Sequence, residues 1–133
     1  MFDIHGELDL TLDENIIIVT LIGSFNEAGV KDWTQKVKKL IEELTLAPFF
    51  ILMNNTDYEG FTPEASDISN DFNLWLNEQA MVAKAIVQPS LLARKMSLKN
   101  IPALEKQRIE YFDTKSDALL WLKALPEYFN SPQ

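Results

Sequence analysis

From Glu7 to Leu12 polar and apolar side chains alternate with period two, the pattern of a strand with one face on a core and the other in water. Asp13-Glu14-Asn15 is a short polar connection, and Ile16 to Ile22 is then apolar on both faces and rich in β-branched residues. The pair predicts a hairpin that opens the fold, its first strand at a sheet edge and its second in the interior. After Gly23-Ser24-Phe25, Asn26 is placed to cap a helix, and Val30, Trp33, Val37, Leu40, Ile41 and Leu44 recur at helical spacing with lysines between them. That spacing predicts an amphipathic helix of about five turns. Phe49 to Met53 reads as a buried strand following Pro48, and Asn54-Asn55-Thr56-Asp57 opens the least regular loop of the chain.

Thr62-Pro63-Glu64 has the form of a helix start, with a hydroxyl cap, a proline in the first turn and an acid beside it. Ile68, Phe72, Trp75 and Leu76 then form an apolar stripe on an acidic helix. Met81 to Val87 reads as a third buried strand, stopped by Pro89. Leu91, Leu92, Met96, Leu98 and Ile101 belong to a basic helix that ends before Pro102. Arg108 to Phe112 predicts a last short strand. Thr114 with Asp117 begins a final helix that turns Ala118, Leu119, Leu122 and Leu125 inward. The expected order is β-β-α-β-α-β-α-β-α: an α/β protein with a mixed sheet, about four helices, one domain over residues 1–125 and a flexible tail over 126–133.

Composition changes this picture in three places. The 133-residue chain has no cysteine, which excludes disulfides, thiolate nucleophiles and cysteine-ligated metal centres. Its formal charge of -8 opposes general nucleic-acid binding, since phosphate contacts require a dense cationic face. The charges are also segregated. No Lys or Arg lies between Lys39 and Lys84, whereas Arg94, Lys95, Lys99, Lys106 and Arg108 are opposed only by Glu105 between Gln88 and Ile109. With no basic-then-apolar leader and no run approaching about 18 apolar residues, a cytoplasmic, non-integral protein is expected.

Candidate catalytic groups are sparse. His5 is the sole histidine and has no serine motif or second histidine to work with, so a surface or structural role is expected. Asp67 and Asp71 stand one helical turn apart, a spacing that ordinarily marks a solvated acidic face. Gly6, Gly23, Gly29 and Gly60 have no phosphate-loop spacing. Neither a metal site nor a cofactor is expected, and no nucleophile or acid–base set points to an enzyme.

The element order resembles the STAS and SpoIIAA-like domains over roughly residues 5 to 125. The closing segment Arg108-Ile109-Glu110-Tyr111-Phe112-Asp113-Thr114-Lys115-Ser116-Asp117-Ala118-Leu119-Leu120-Trp121-Leu122 is similar to the end of bacterial SpoIIAA-like proteins. Phe61-Thr62-Pro63-Glu64 looks like the entry to their second helix. Classical anti-sigma antagonists place an Asp-Ser phospho-acceptor at the helix after the third strand. Here that region reads Asn54-Asn55-Thr56-Asp57-Tyr58-Glu59, so the phospho-switch does not carry over. The group without that motif resembles the SEC14-related lipid-transfer folds, and the resemblance implies an apolar pocket and a movable lid.

The two middle helices supply the candidate site: Phe61, Ile68, Phe72 and Trp75 beside the acidic one, Leu91, Leu92 and Met96 on the basic one. One reading makes these ordinary core faces. In the other, opposite charges latch the helices over an apolar cavity for a lipid tail or a partner's helix. Arg94, Lys95, Lys99, Lys106 and Arg108 are then candidates for a membrane surface, each contributing about 1 kcal/mol against anionic headgroups. Expected partners are an apolar or lipid-like molecule, a peripheral membrane contact, a protein partner docked in the STAS manner through the loop and helix from Asn54 to Gln79, or a second copy of the chain.

Overall fold

The computed structural model describes residues 3–44 and 47–129. Strand β1 (Glu7–Asp13) and β2 (Ile16–Phe25) form the predicted hairpin, and among the described residues β1 is an edge strand bonded only to β2. Helix α1 (Glu27–Leu44) follows. Its cap is Asn26, whose Oδ1 accepts from the Gly29 N–H at 2.8 Å and also from the His5 N–H at 3.0 Å. Next come β3 (Phe49–Asn54), β4 (Tyr58–Phe61), a 3₁₀ turn (Pro63–Ala65), α2 (Ser66–Leu76) and β5 (Met81–Val87). The described residues end with α3 (Leu91–Asn100), a second 3₁₀ turn (Pro102–Lys106), β6 (Ile109–Phe112), α4 (Lys115–Ala124) and α5 (Pro126–Phe129).

The strand order is β1-β2-β3-β5-β6, antiparallel in the opening hairpin and parallel thereafter, which makes the sheet mixed as expected. Strand β4 was not foreseen. It pairs in parallel with the end of β2, Ser24 opposite Gly60 and Phe25 opposite Phe61, beyond the point where β3 leaves off. The irregular loop of the sequence is therefore a short interruption in a strand that resumes. Asn54 Oδ1 makes the turn by accepting from the Thr56 hydroxyl at 2.7 Å. Gly60, at φ +99, adopts a backbone that residues with a Cβ rarely take.

Because strand side chains alternate, the interior strands feed two cores. Ile17, Val19, Leu21, Ile51, Met53 and Ile86 pack beneath α1 and α2 with Val30, Trp33, Val37, Phe72 and Leu76. Ile16, Ile18, Phe50, Leu52, Ala83, Ala85 and Val87 pack against Ala118 and Leu122 of α4, with Leu125, on the other face. Fully burying one such aliphatic side chain contributes about 1.5–3 kcal/mol. The two cores thus fix α1, α2 and α4 on opposite sides of one sheet.

Two terminal expectations change. Thr62 occupies the N-cap position but its hydroxyl makes no cap bond, and the chain turns through Pro63–Ala65 before α2 begins at Ser66. The tail expected from residue 126 starts instead as α5. Tyr128 packs on Phe50 with ring centroids 5.8 Å apart, and its hydroxyl donates to Glu14 at 2.6 Å. That contact holds the phenol in its protonated form up to about 12. Residues 130–133 lie outside the described residues.

Candidate functional site

Helix α3 differs from every other long helix of the fold: none of its residues is buried. It is secured at its ends. Ser90 caps it by accepting from the Ala93 N–H at 3.1 Å, and Arg94 clamps the first turn, donating to the Gln88 carbonyl at 2.6 Å and to Asp113 at 3.1 Å. The Arg94 guanidinium also lies 5.4 Å from the centre of the Tyr111 ring. At the other end Ala103 and Leu104 are buried, and α2 brackets Ala103. The Asn70 side chain accepts from its N–H at 3.0 Å, and Asn77 donates to its carbonyl at 3.0 Å. Between these anchors Leu91, Leu92, Met96 and Leu98 are exposed, Leu92 to 71%.

A groove of about 650 Å³ runs between α3 and the β4–α2 connection, lined by Tyr58, Phe61, Pro63, Leu92, Ala93 and Met96 among others. Behind it lies a smaller cavity of about 60 Å³, bounded by Trp33, Met53, Asn55, Ser69, Asn73, Lys84, Ile86 and Leu104. Tyr58, Phe61 and Ser97 are walls of both, so the cavity adjoins the groove across these side chains.

Lys84 is the most unusual residue here and was not singled out as a candidate. It sits in the middle of β5 with only 3% of its surface exposed. The alternation that sends Ala83 and Ala85 to the α4 core sends Lys84 and Ile86 to the α2 side. Its Nζ donates to Asn73 Oδ1 at 2.9 Å, an oxygen that also accepts from Gln107 Nε2 at 3.0 Å, while Asn73 Nδ2 donates to the Ser69 carbonyl at 2.9 Å. No carboxylate lines the cavity among the described residues. Burial without a counter-charge pushes the Lys84 ammonium down to about 7. The same burial pushes the Tyr58 phenol well up, and it raises Tyr111 against the opposing pull of Arg94. Asn55 Oδ1, at the cavity wall, is a buried oxygen without a hydrogen-bond partner.

The seven apolar candidates divide. Phe61, Leu92 and Met96 do meet around one groove. Ile68, Phe72 and Trp75 turn instead toward α1: Phe72 meets Trp33 edge-on at 5.4 Å, and Lys38 lies 4.8 Å from the centre of the Trp75 ring. Leu91 projects outward at 68% exposure. The charge latch between α2 and α3 is not formed, because among the described residues no ion pair joins them. Of the basic set, Arg94 is engaged with Asp113 and Arg108 with Glu127 at 3.0 Å, leaving Lys95, Lys99 and Lys106 as exposed cations on or beside α3. The His5 side chain stands at the surface near the start of α1. Among the described residues no group of three or more His, Asp or Glu side chains converges as a metal site would require. No described helix is long and apolar enough to cross a membrane.

Asn54 to Glu59, the segment aligned by order with the phospho-acceptor of anti-sigma antagonists, ends β3 and starts β4 rather than beginning a helix. No family model matches the sequence, and no curated protein matches it. Solved structures do match. An uncharacterized protein of the DUF3478 family with a SpoIIAA-like fold, from Shewanella loihica PV-4, superposes with a TM-score of 0.66 over 92% of this chain and 97% of its own, at 16% identity. The unphosphorylated anti-sigma factor antagonist SpoIIAA superposes with a TM-score of 0.60 over 91% of this chain and 100% of its own, at 13% identity. A mixed sheet opened by an antiparallel hairpin and covered on both faces by helices is thus matched nearly end to end, and the chain has the SpoIIAA-like fold.

Proposed function

We propose that the protein is a non-enzymatic binding module that takes a small apolar or lipid-like ligand beneath α3. One observation carries this reading: α3 is anchored at both ends, buries none of its own residues, and stands over a groove of about 650 Å³ that adjoins an inner cavity. A helix held this way opens at lower free-energy cost than one seated in a core, because opening exposes little new apolar surface. Phe61, Leu92 and Met96 supply the contact surface, and Met adapts to irregular ligand shapes. Lys95 and Lys99, beside the exposed Leu91 and Leu98, suit peripheral contact with an anionic membrane during ligand exchange.

The test is native mass spectrometry of freshly purified protein under gentle and harsh desolvation, with solvent extraction of the same sample. A discrete mass lost on harsh desolvation and recovered as an apolar compound supports the reading. An empty protein that also ignores anionic vesicles contradicts it.

A second reading is favoured by the likeness to SpoIIAA, an anti-sigma factor antagonist: a STAS-type regulator that docks a protein partner. The surface offered is the same exposed α3. A stoichiometric partner retained by the wild-type chain and lost on Leu92→Asp would favour this reading over ligand carriage.

A further inference from the structure

Lys84 poses a question that the packing of the fold does not answer. A buried ammonium carries a desolvation cost of several kcal/mol unless opposite charge compensates it. Its described bond is to the neutral Asn73 amide, which leaves two of its three protons to the cavity. A lysine placed only to tie β5 to α2 is replaceable there by a residue without charge. The inner cavity it faces shares three walls with an open apolar groove. Its volume of about 60 Å³ is several times the roughly 10–15 Å³ that one water requires, enough for a carboxylate group.

We infer that the cavity is a site for the carboxylate of a small single-chain amphiphile, paired with the Lys84 ammonium, with its apolar chain lying in the groove along Phe61, Leu92 and Met96. The inference rests on the ligand-carrier reading and specifies the chemistry of the headgroup. The polar surroundings agree with it. The hydroxyl-bearing residues Tyr58, Ser69 and Ser97 line the cavity, and Asn55, whose buried Oδ1 has no hydrogen-bond partner, brings its Nδ2 to that position after a half-turn about its last bond. No resident carboxylate competes for the ammonium among the described residues.

The pairing makes binding proton-linked. Facing Lys84 are Asn73 and Ser69 from α2, Tyr58 from β4, Asn55 from the β3–β4 turn and Ser97 from α3, with Gln107 reaching the same Asn73 oxygen from beyond the second 3₁₀ turn and apolar side chains lining the rest. Of these Tyr58 alone ionises, and its burial moves that event far above neutrality. Lys84 therefore controls the pH response near 7. The charged pair forms without proton uptake below about pH 7, and above it affinity falls by up to about tenfold per pH unit as the free protein loses the Lys84 proton.

Octanoate and octanol, titrated into the full chain after delipidation, test this directly, because the two probes share a chain and differ in the headgroup. The expected result is octanoate binding that weakens at least about tenfold both on Lys84→Met and on raising the pH from 7 to 9, with octanol affected by neither. Should Lys84→Met unfold the chain, the Lys84 side-chain NMR signal of the wild type decides, since octanoate then moves its titration upward. Equal binding of the two probes, or octanoate binding indifferent to pH and to Lys84→Met, overturns the Lys84 pairing and leaves the ligand-carrier reading standing. Failure of both probes to bind overturns the pairing and counts against that reading as well.

Discussion

Helices α1 and α3 each connect parallel strands and each carries lysines, yet they are held in opposite ways. Six of the eighteen residues of α1 are buried, among them Val30, Trp33, Val37 and Ile41, whereas none of the ten residues of α3 is. α1 is fixed by the sheet through a continuous apolar stripe. α3 is fixed by a cap, an arginine clamp and a docked 3₁₀ turn. A fold needs the first kind of helix to exist, but the second kind can move while the remainder stays intact. Local stability is accordingly expected to be lowest where the groove and the cavity lie.

The largest effect that could break this contrast is in α1. Trp33→Ala removes a buried ring that packs edge-on against Phe72, and it is expected to lower unfolding free energy by about 3–5 kcal/mol, seen as a drop in the denaturation midpoint.

Next comes Lys84. Its ionisation at about 7 in the folded protein lies below its ordinary value of 10.5, so between those limits the unfolded chain holds a proton that the folded chain has released. Stability from this residue thus rises with pH across that window, by up to about 1.4 kcal/mol per pH unit. Below about 7 both states are protonated and the full burial cost is present. Denaturant titrations between pH 7 and 9 on wild type and Lys84→Met check this, the variant losing the slope. The smallest effect belongs to α3: Leu92→Ala, at a side chain 71% exposed, is expected to change the stability of the ligand-free protein by under about 0.5 kcal/mol. A loss of several kcal/mol there would mean that α3 is core after all.

Most of the fold was legible because its elements carry long periodic signals. The alternation of β1, the β-branched run of β2 and the stripe of α1 each declare one conformation. β4 does not, being four residues with Gly60 among them, and it is a strand only because the end of β2 offers a free edge beside β3. α5 is four residues opening on Pro126, and its place is set by Tyr128 on Phe50, far away in sequence. For the site, helical spacing correctly grouped Ile68, Phe72 and Trp75 on one face but could not say that the face meets α1 rather than α3. Lys84 was readable. Met81 to Val87 has the pattern of a strand buried on both sides, and a lysine at its centre must then be buried too. The single charge in that apolar run marks the inner cavity.

In the proposed carrier, α3 is a cover that opens. Residue-resolved hydrogen exchange, run with and without octanoate, tests that most directly. The expected result is that amides of residues 91–100 in the free protein exchange at a free energy well below that of α1 and β5, and slow when octanoate is added while α1 stays unchanged. Protection of α3 equal to that of α1 in the free protein would contradict it.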